Sequence, residues 1–346
     1  MTEEEEIICE KQFEPNESVT ECNFVDLPSD QGRGSTKYIA VGVNIISTGR
    51  EYEPLMAKIQ LYSKDKREFE LIAEKRDIKG TITMIQACKS FIIVCEGSEV
   101  CIYQFYPINL ELKKIDKIDN KNLAICSRLI NGILLTGDMI NSVNLMYVKY
   151  KADSNKLDII ELVKNNSKYK TTTCCLCLVH RQRCCILFDE ENNGYIYLIK
   201  DEENKNSSYT LMKLCDFSIN KNVNELRLNN NSKSPNVSFF FYYSAIDGSI
   251  GYIKHIESDI YEKLYYLCEF IYFHFPFDCG VNPKNYYTAN YNKNFYQKLN
   301  TRYIDMKILY IFLNLSDTFQ DIICNKVLGT DRNEIIDYVN KLLKYN

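Results

Sequence analysis

The residues of this chain that could do chemistry fall into a few groups, and spacing decides how each is read. Cys174 and Cys177 form a Cys-x-x-Cys pair, and His180 and Cys184 follow closely enough to complete a zinc set. Alternation argues for a different use: residues 173–179 and 183–188 read as paired strands joined at His180-Arg181-Gln182, with the thiols acting as small buried hydrophobes. No metal and no cofactor is expected. Catalysis needs an acid, base or nucleophile in convergent positions, whereas His180, His255 and His274 sit in unrelated contexts and the sequence has no glycine-rich phosphate loop or nucleophile elbow. Asp247 before Gly248 would fit a propeller hydrolase, but an aspartate before glycine is an ordinary turn pair. The expectation is a protein that is not an enzyme.

One stretch carries binding chemistry. Residues 279–304 contain no acidic side chain and interleave Lys284, Lys293, Lys298 and Arg302 with Tyr286, Tyr287, Tyr291, Phe295 and Tyr296. Cations neutralise phosphates and aromatic faces stack on unpaired bases, which suits single-stranded RNA. The same mixture serves a protein interface equally well. These residues are therefore the expected contacts for RNA or for a partner. The helices on either side of Gly329 have the outline of a helix-turn-helix, but the second opens on Asp331 and Glu334, which would repel phosphate and are good helix N-terminal residues. Ordinary helix packing is expected there.

The elements that must hold these residues come from a chain of 346 residues with 45% hydrophobic content, enough for a substantial core. With 42 basic and 46 acidic residues the formal charge is -4, so no global cationic field draws the whole molecule to nucleic acid. The 15 cysteines, many inside apolar runs, point to a reducing compartment. Met1-Thr2-Glu3-Glu4 is acidic where a secretory signal is basic and then apolar, so Asn-x-Ser triplets such as Asn165-Asn166-Ser167 are expected to stay unmodified. Residues 260–275 are interrupted by Glu262, Lys263 and Glu269, and residues 308–315 fall far short of the roughly 20 needed to span a bilayer. A soluble protein is expected, with no membrane partner and no small-molecule substrate.

From Tyr38 onward short β-branched and aromatic runs recur between turn residues: 38–43, 58–62, 81–86, 91–95, 100–105, 133–136 and 143–148. Dense strands of about four to six residues without intervening amphipathic helices suit an antiparallel sandwich, barrel or propeller. A looser repeat places an apolar strand before a glycine at residues 38–42, 133–138 and 244–248, in the manner of propeller blades. Residues 201–208 and 229–236 read as polar surface insertions. After Gly251 the period changes. Ile260, Leu264, Leu267, Ile271 and His274 fall on one helical face, Phe319, Ile322, Ile323 and Val327 on another with Gly329 as C-terminal cap, and Ile335, Ile336, Val339, Leu342 and Leu343 on a last. The expected boundary separates β-blades over 1–253 from a helical C-terminal domain over 254–346.

Particular residues carry a family resemblance. Gly137-Asp138-Met139-Ile140-Asn141-Ser142-Val143-Asn144-Leu145 resembles the Gly-Asp-x-x-x-Ser-Val-x-Leu strand pair of the family that groups the large subunit of the cleavage and polyadenylation specificity factor, the damaged-DNA-binding large subunit and a splicing factor 3b subunit. Asp216-Phe217 through Val223-Asn224, then residues 245–251, continue the same order, and the likeness runs from about Glu6 to the C-terminus. Gly280-Val281-Asn282-Pro283-Lys284-Asn285-Tyr286 is similar to a Gly-Leu-Asn-Pro-Arg-x-Phe segment of the polyadenylation branch. The resemblance implies a mainly β fold, a partial WD40-like β-propeller of about five blades where a whole ring has about seven, followed by an α-helical domain. A partial gene product or split subunit is therefore expected. It also implies a nuclear scaffold subunit of the pre-mRNA cleavage and polyadenylation machinery, partnered by other subunits of a 3′-end processing complex and by RNA if the aromatic and basic stretch serves that use. An adaptor of a ubiquitin-ligase, DNA-repair or splicing complex is the alternative within the family, and a propeller hydrolase the alternative outside it.

Overall fold

The computed structural model describes residues 10–29, 34–46, 54–63, 69–120, 122–140, 142–152, 156–164, 169–179, 182–202, 208–228, 240–275, 280 and 302–343. Among these the protein is mainly β, with the strands first and the helices after them. Each strand neighbours the one before it in sequence, so the sheets form one after another. The first contains β1 (Glu17–Pro28), β2 (Ser35–Ile46), β3 (Pro54–Ser63) and β4 (Glu70–Ile78). The second contains β5 (Ile82–Cys88), β6 (Phe91–Glu96), β7 (Glu99–Tyr106) and β8 (Glu111–Asp119). The third contains β9 (Ala124–Ile130), β10 (Ile133–Asp138), β11 (Val143–Lys151) and β12 (Lys156–Lys164). The fourth contains β13 (Thr171–Val179), β14 (Gln182–Asp189), β15 (Asn193–Glu202) and β16 (Ser208–Ser218). The fifth contains, among the described residues, β17 (Val223–Leu228), β18 (Phe240–Ala245) and β19 (Ile250–Lys254).

Local sequence explains the order. Asn131 and Gly132 both have positive φ, 50° and 77°, the backbone of a type I′ turn that folds β9 directly onto β10. The second strands β6 and β10 are buried along their whole length, because each is covered on both faces. The fourth strand β8, in contrast, buries only Leu112 and exposes most of its charged residues to water. Charges on an outer strand discourage pairing with another chain. The strands are also longer than the apolar runs suggested. β1 and β2 each extend over 12 residues, since polar positions at a strand's ends still pair.

The chain divides into two compact units, Met1–Leu176 with Ile199–Leu211, and Cys177–Leu198 with Met212–Asn346. In the first unit the first three sheets stack face to face: β1, β5 and β9 lie against one another in turn, and so do β4, β8 and β12. Val25, Leu27, Ile59 and Leu61 of the first sheet pack with Ile85, Ile92 and Val94 of the second. Ile93, Cys95 and Ile102 on the other face of the second sheet meet Leu134 and Met146 of the third. Each fully buried aliphatic side chain contributes about 1.5–3 kcal/mol by leaving water. A polar clasp fixes the stacking: Asn44 Oδ1 accepts from the Ile82 N–H at 2.8 Å while its Nδ2 donates to the Ile82 carbonyl at 3.2 Å. Two residues earlier, a Cβ on Gly42 would stand 2.7 Å from Ile82 Cγ2, so this approach requires glycine.

In the second unit the helices follow the fifth sheet: α1 (Ser258–His274), α2 (Met306–Leu313), α3 (Asp317–Ile322), which runs into a π-helical segment Ile323–Leu328, and α4 (Arg332–Leu343). Their shared core comprises Leu264, Leu267 and Ile271 of α1, Ile308, Leu309 and Phe312 of α2, and Ile335 and Val339 of α4. Asp305 caps α2 by accepting the Lys307 N–H at 2.9 Å, and Gly329 ends the π-helical segment in the left-handed conformation at φ 61°. Two features depart from the helical periodicity of the sequence. His274 is exposed and lies on the Phe270 ring at 4.1 Å, in the last turn of α1. Phe319 and Ile322 are exposed as well, and Gln320 and Cys324 are buried beside Ile323, the member of that stripe that does enter the core. The π-helical segment explains the shift, since its wider turn displaces the i+3/i+4 stripe. Gln320 is satisfied there by donating to the Phe312 carbonyl at 2.9 Å.

Candidate functional site

The acidic residues that end the second strands are occupied by their own turns. Asp189, at the end of β14, is buried and accepts from the Glu191 and Asn193 N–H groups, the Asn193 amide and the Tyr195 hydroxyl, all within 2.7–2.9 Å. Asp138, at the end of β10, accepts from the Ile140 N–H at 2.6 Å. Asp247 is exposed and accepts from the Ser249 hydroxyl, the Ser249 N–H at 2.9 Å and the Lys221 ammonium at 3.0 Å. The Ser249 hydroxyl foremost, then its N–H and Lys221, hold the Asp247 carboxyl well below the usual carboxylate range. A carboxylate kept ionised by its own turn is arranged as a turn former.

The thiols are arranged in pairs. Cys174 on β13 lies 3.4 Å, sulfur to sulfur, from Cys126 on β9, whereas Cys177 hydrogen-bonds Cys184 on β14, and that bond lowers the Cys184 pKa against the opposing effect of burial. Odd spacing along one strand puts Cys174 and Cys177 on opposite faces, which is the wrong geometry for one tetrahedral ion. His180 lies outside the described residues. One other group brings metal-binding atoms together among the described residues, Glu96, Glu99 and Cys101. Its carboxylates are met by lysines: Lys114 reaches Glu96 at 2.8 Å and Glu99 at 3.3 Å, and Lys117 reaches Glu99. Burial pushes the Cys101 thiol up to about 12.

A cleft of about 1150 Å³ opens in the second unit. One wall is the fourth sheet, with Cys184, Ile196, Leu214 and Phe217. It is also lined by Tyr261 and Glu262 of α1, Tyr303 to Lys307 at the start of α2, and Leu342 and Leu343 of α4. Residues 251–254 of β19 run along its side. Tyr303 stacks flat on Phe217, centroids 4.7 Å apart and planes 4° apart, and the Tyr252 hydroxyl donates to the Leu342 carbonyl at 3.0 Å. Cys215 in the wall is pushed up to about 12, by burial first and the neighbouring Asp216 charge second, so it stays a neutral thiol.

Of the residues expected to contact RNA or a partner, Arg302 is exposed and lines this cleft. Lys284, Tyr286, Tyr287, Tyr291, Lys293, Phe295, Tyr296 and Lys298 lie outside the described residues. His255 lines the cleft and His274 does not. No local pattern signals the cleft itself, because its walls come from residues 182 to 343 and meet only through long-range packing.

Comparison with known proteins adds two findings. The family model described as the CPSF A subunit region matches residues 1–314. The chain is also similar to the cleavage and polyadenylation specificity factor subunit 1 of Drosophila melanogaster, 22% identical over a match that covers 94% of this chain and 23% of that relative. The chain thus spans under a quarter of the length of the curated relative it matches.

Proposed function

This chain belongs to the family of the CPSF A subunit region, and from that membership we propose that it is a non-enzymatic scaffold subunit of the pre-mRNA cleavage and polyadenylation machinery, working in the nucleus. The observation that carries this reading is the family match over residues 1–314, the greater part of the chain. Its sheets support a propeller reading with five blades: strands consecutive in sequence form each sheet, and across the first three sheets first strands lie beside first strands and fourth beside fourth. The proposed division is blades over 1–253 and a helical domain over 254–346. A rigid array of this kind holds loops and edges in fixed positions for other subunits.

RNA contact is the second part of the proposal, through Lys284, Lys293, Lys298 and Arg302 with the tyrosines between them. Changing the four cations together to glutamate is expected to lower crosslinking of the chain to pre-mRNA, and unchanged crosslinking would leave the stretch as a protein contact. The scaffold role itself is tested by affinity purification. Recovery of cleavage and polyadenylation subunits supports it, whereas recovery of cullin-type ligase or splicing subunits instead would move the chain to another branch of the family.

A further inference from the structure

Cys126 on β9 and Cys174 on β13, 48 residues apart in sequence, bring their sulfurs to 3.4 Å. Both belong to the first unit. Gly137 of β10 is the cross-strand partner of Cys126, and a Cβ there would stand 2.3 Å from the Cys126 sulfur and 2.8 Å from Thr171 Cγ2. With no side chain at 137, the sulfur has room beside β10 and the start of β13 lies close. Two hydrogen bonds hold that start to the turn between β10 and β11. The Ser142 N–H donates to the Tyr169 carbonyl at 3.2 Å, and the Thr171 hydroxyl donates to the Ser142 carbonyl at 2.8 Å. The surrounding strands thus keep the two sulfurs within reach of each other. A disulfide needs ~2.05 Å, so they must close by roughly 1.4 Å, within the arc that a sulfur sweeps about χ1. The two thiols are not equivalent. Cys126 is partly exposed, whereas Cys174 is buried. The bond to Cys126 foremost, then burial, raise the Cys174 thiol, so it keeps its proton. Cys126 is the sulfur that an oxidant meets, and Cys174 stands behind it to resolve the product.

We propose that this pair is a reversible redox latch, in which hydrogen peroxide oxidises Cys126 and Cys174 to a disulfide that ties β9 to β13. The Cys126 thiol ionises, and its thiolate attacks one peroxide oxygen. The O–O bond breaks, a sulfenic acid forms on Cys126, and the departing hydroxide takes up the released proton as water. The Cys174 sulfur then attacks the sulfenic sulfur and gives up its proton, so the displaced hydroxide leaves as a second water. Two thiols lose two electrons, and one peroxide is reduced to two waters. In a reducing compartment the bond is transient, because exchange with a reduced dithiol restores both thiols. The pair Cys177 and Cys184 is not arranged for this use, since both of its residues are buried. The inference goes beyond the scaffold role proposed above and needs only the first unit.

The test is peroxide titration of the folded full chain, read by peptide mass spectrometry without reductant. Hydrogen peroxide is expected to link the Cys126 and Cys174 peptides with the loss of two hydrogens. Amide exchange over residues 171–176 should slow about tenfold on oxidation, and dithiothreitol should reverse both changes. In Cys174→Ser, dimedone should trap a sulfenic acid on Cys126, and in Cys126→Ser, Cys174 should remain a thiol. The wild-type readouts stand without either variant. The inference is overturned if no such link forms, if peroxide joins Cys126 to Cys95 or Cys177 to Cys184 in preference, or if the link forms and exchange over 171–176 is unchanged.

Discussion

Single residues set the closeness of the packing and the state of the buried thiols. A Cβ at Gly137 would stand 2.3 Å from Cys126 Sγ and 2.8 Å from Thr171 Cγ2, both side chains of packed strands. Gly137→Ala is expected to cost about 1–3 kcal/mol by overpacking, measured as a lower urea midpoint. Adding Cys126→Ala should recover part of that loss, and a fully additive double variant would show that the clash lies elsewhere. Asp247 offers a pH test with a definite sign. Its folded pKa is lowered from 3.8 by Ser249 and Lys221, so its contribution is complete above about 3.8 and is lost as the pH falls further. A carboxyl NMR titration should find Asp247 still ionised where other exposed aspartates have protonated. Alkylation at pH 8 separates the thiols: Cys22 is exposed and should label in the folded protein, whereas Cys215, buried and raised to about 12, should label only after unfolding.

At the scale of elements, what holds neighbouring sheets is apolar burial pinned by a few polar contacts. Asn44→Ala is expected to destabilise the first unit by about 1–3 kcal/mol, because it leaves the Ile82 N–H buried without its acceptor. Denaturation of the variant checks this, and a loss under a few tenths of a kcal/mol would mean that water replaces the amide. This scale also shows what the sequence reveals. The inner strands were legible, since β2, β6, β7, β10 and β14 are rich in Ile, Val, Leu and aromatic residues that stand out from the turns. The outer strands β4, β8 and β12 were not, because a strand that packs partly on one face and meets water elsewhere is full of charges and reads as loop. The three strand-before-glycine repeats, at residues 38–42, 133–138 and 244–248, fall on β2, β10 and β18, each the second strand of its sheet. The π-helical segment had no sequence signature, and it moved the buried stripe of α3 by tertiary packing that periodicity does not encode.

For the whole molecule, sequence carried the family and the order of strands before helices, because motif spacing and period survive in a single chain. The cleft beside β19 was not legible, as its walls lie far apart in sequence. No helix among the described residues is long and apolar enough to cross a membrane, and the acidic positions that could suggest catalysis are taken up in turns. What supports a binding role is the family match over residues 1–314. The central claim is assembly into 3′-end processing machinery, tested most directly by purifying the tagged chain from nuclear extract under native conditions and identifying its stoichiometric partners. The account predicts cleavage and polyadenylation subunits in constant ratio to the chain. Stoichiometric recovery of a cullin-type ligase or of splicing subunits, with the polyadenylation subunits absent, would contradict it.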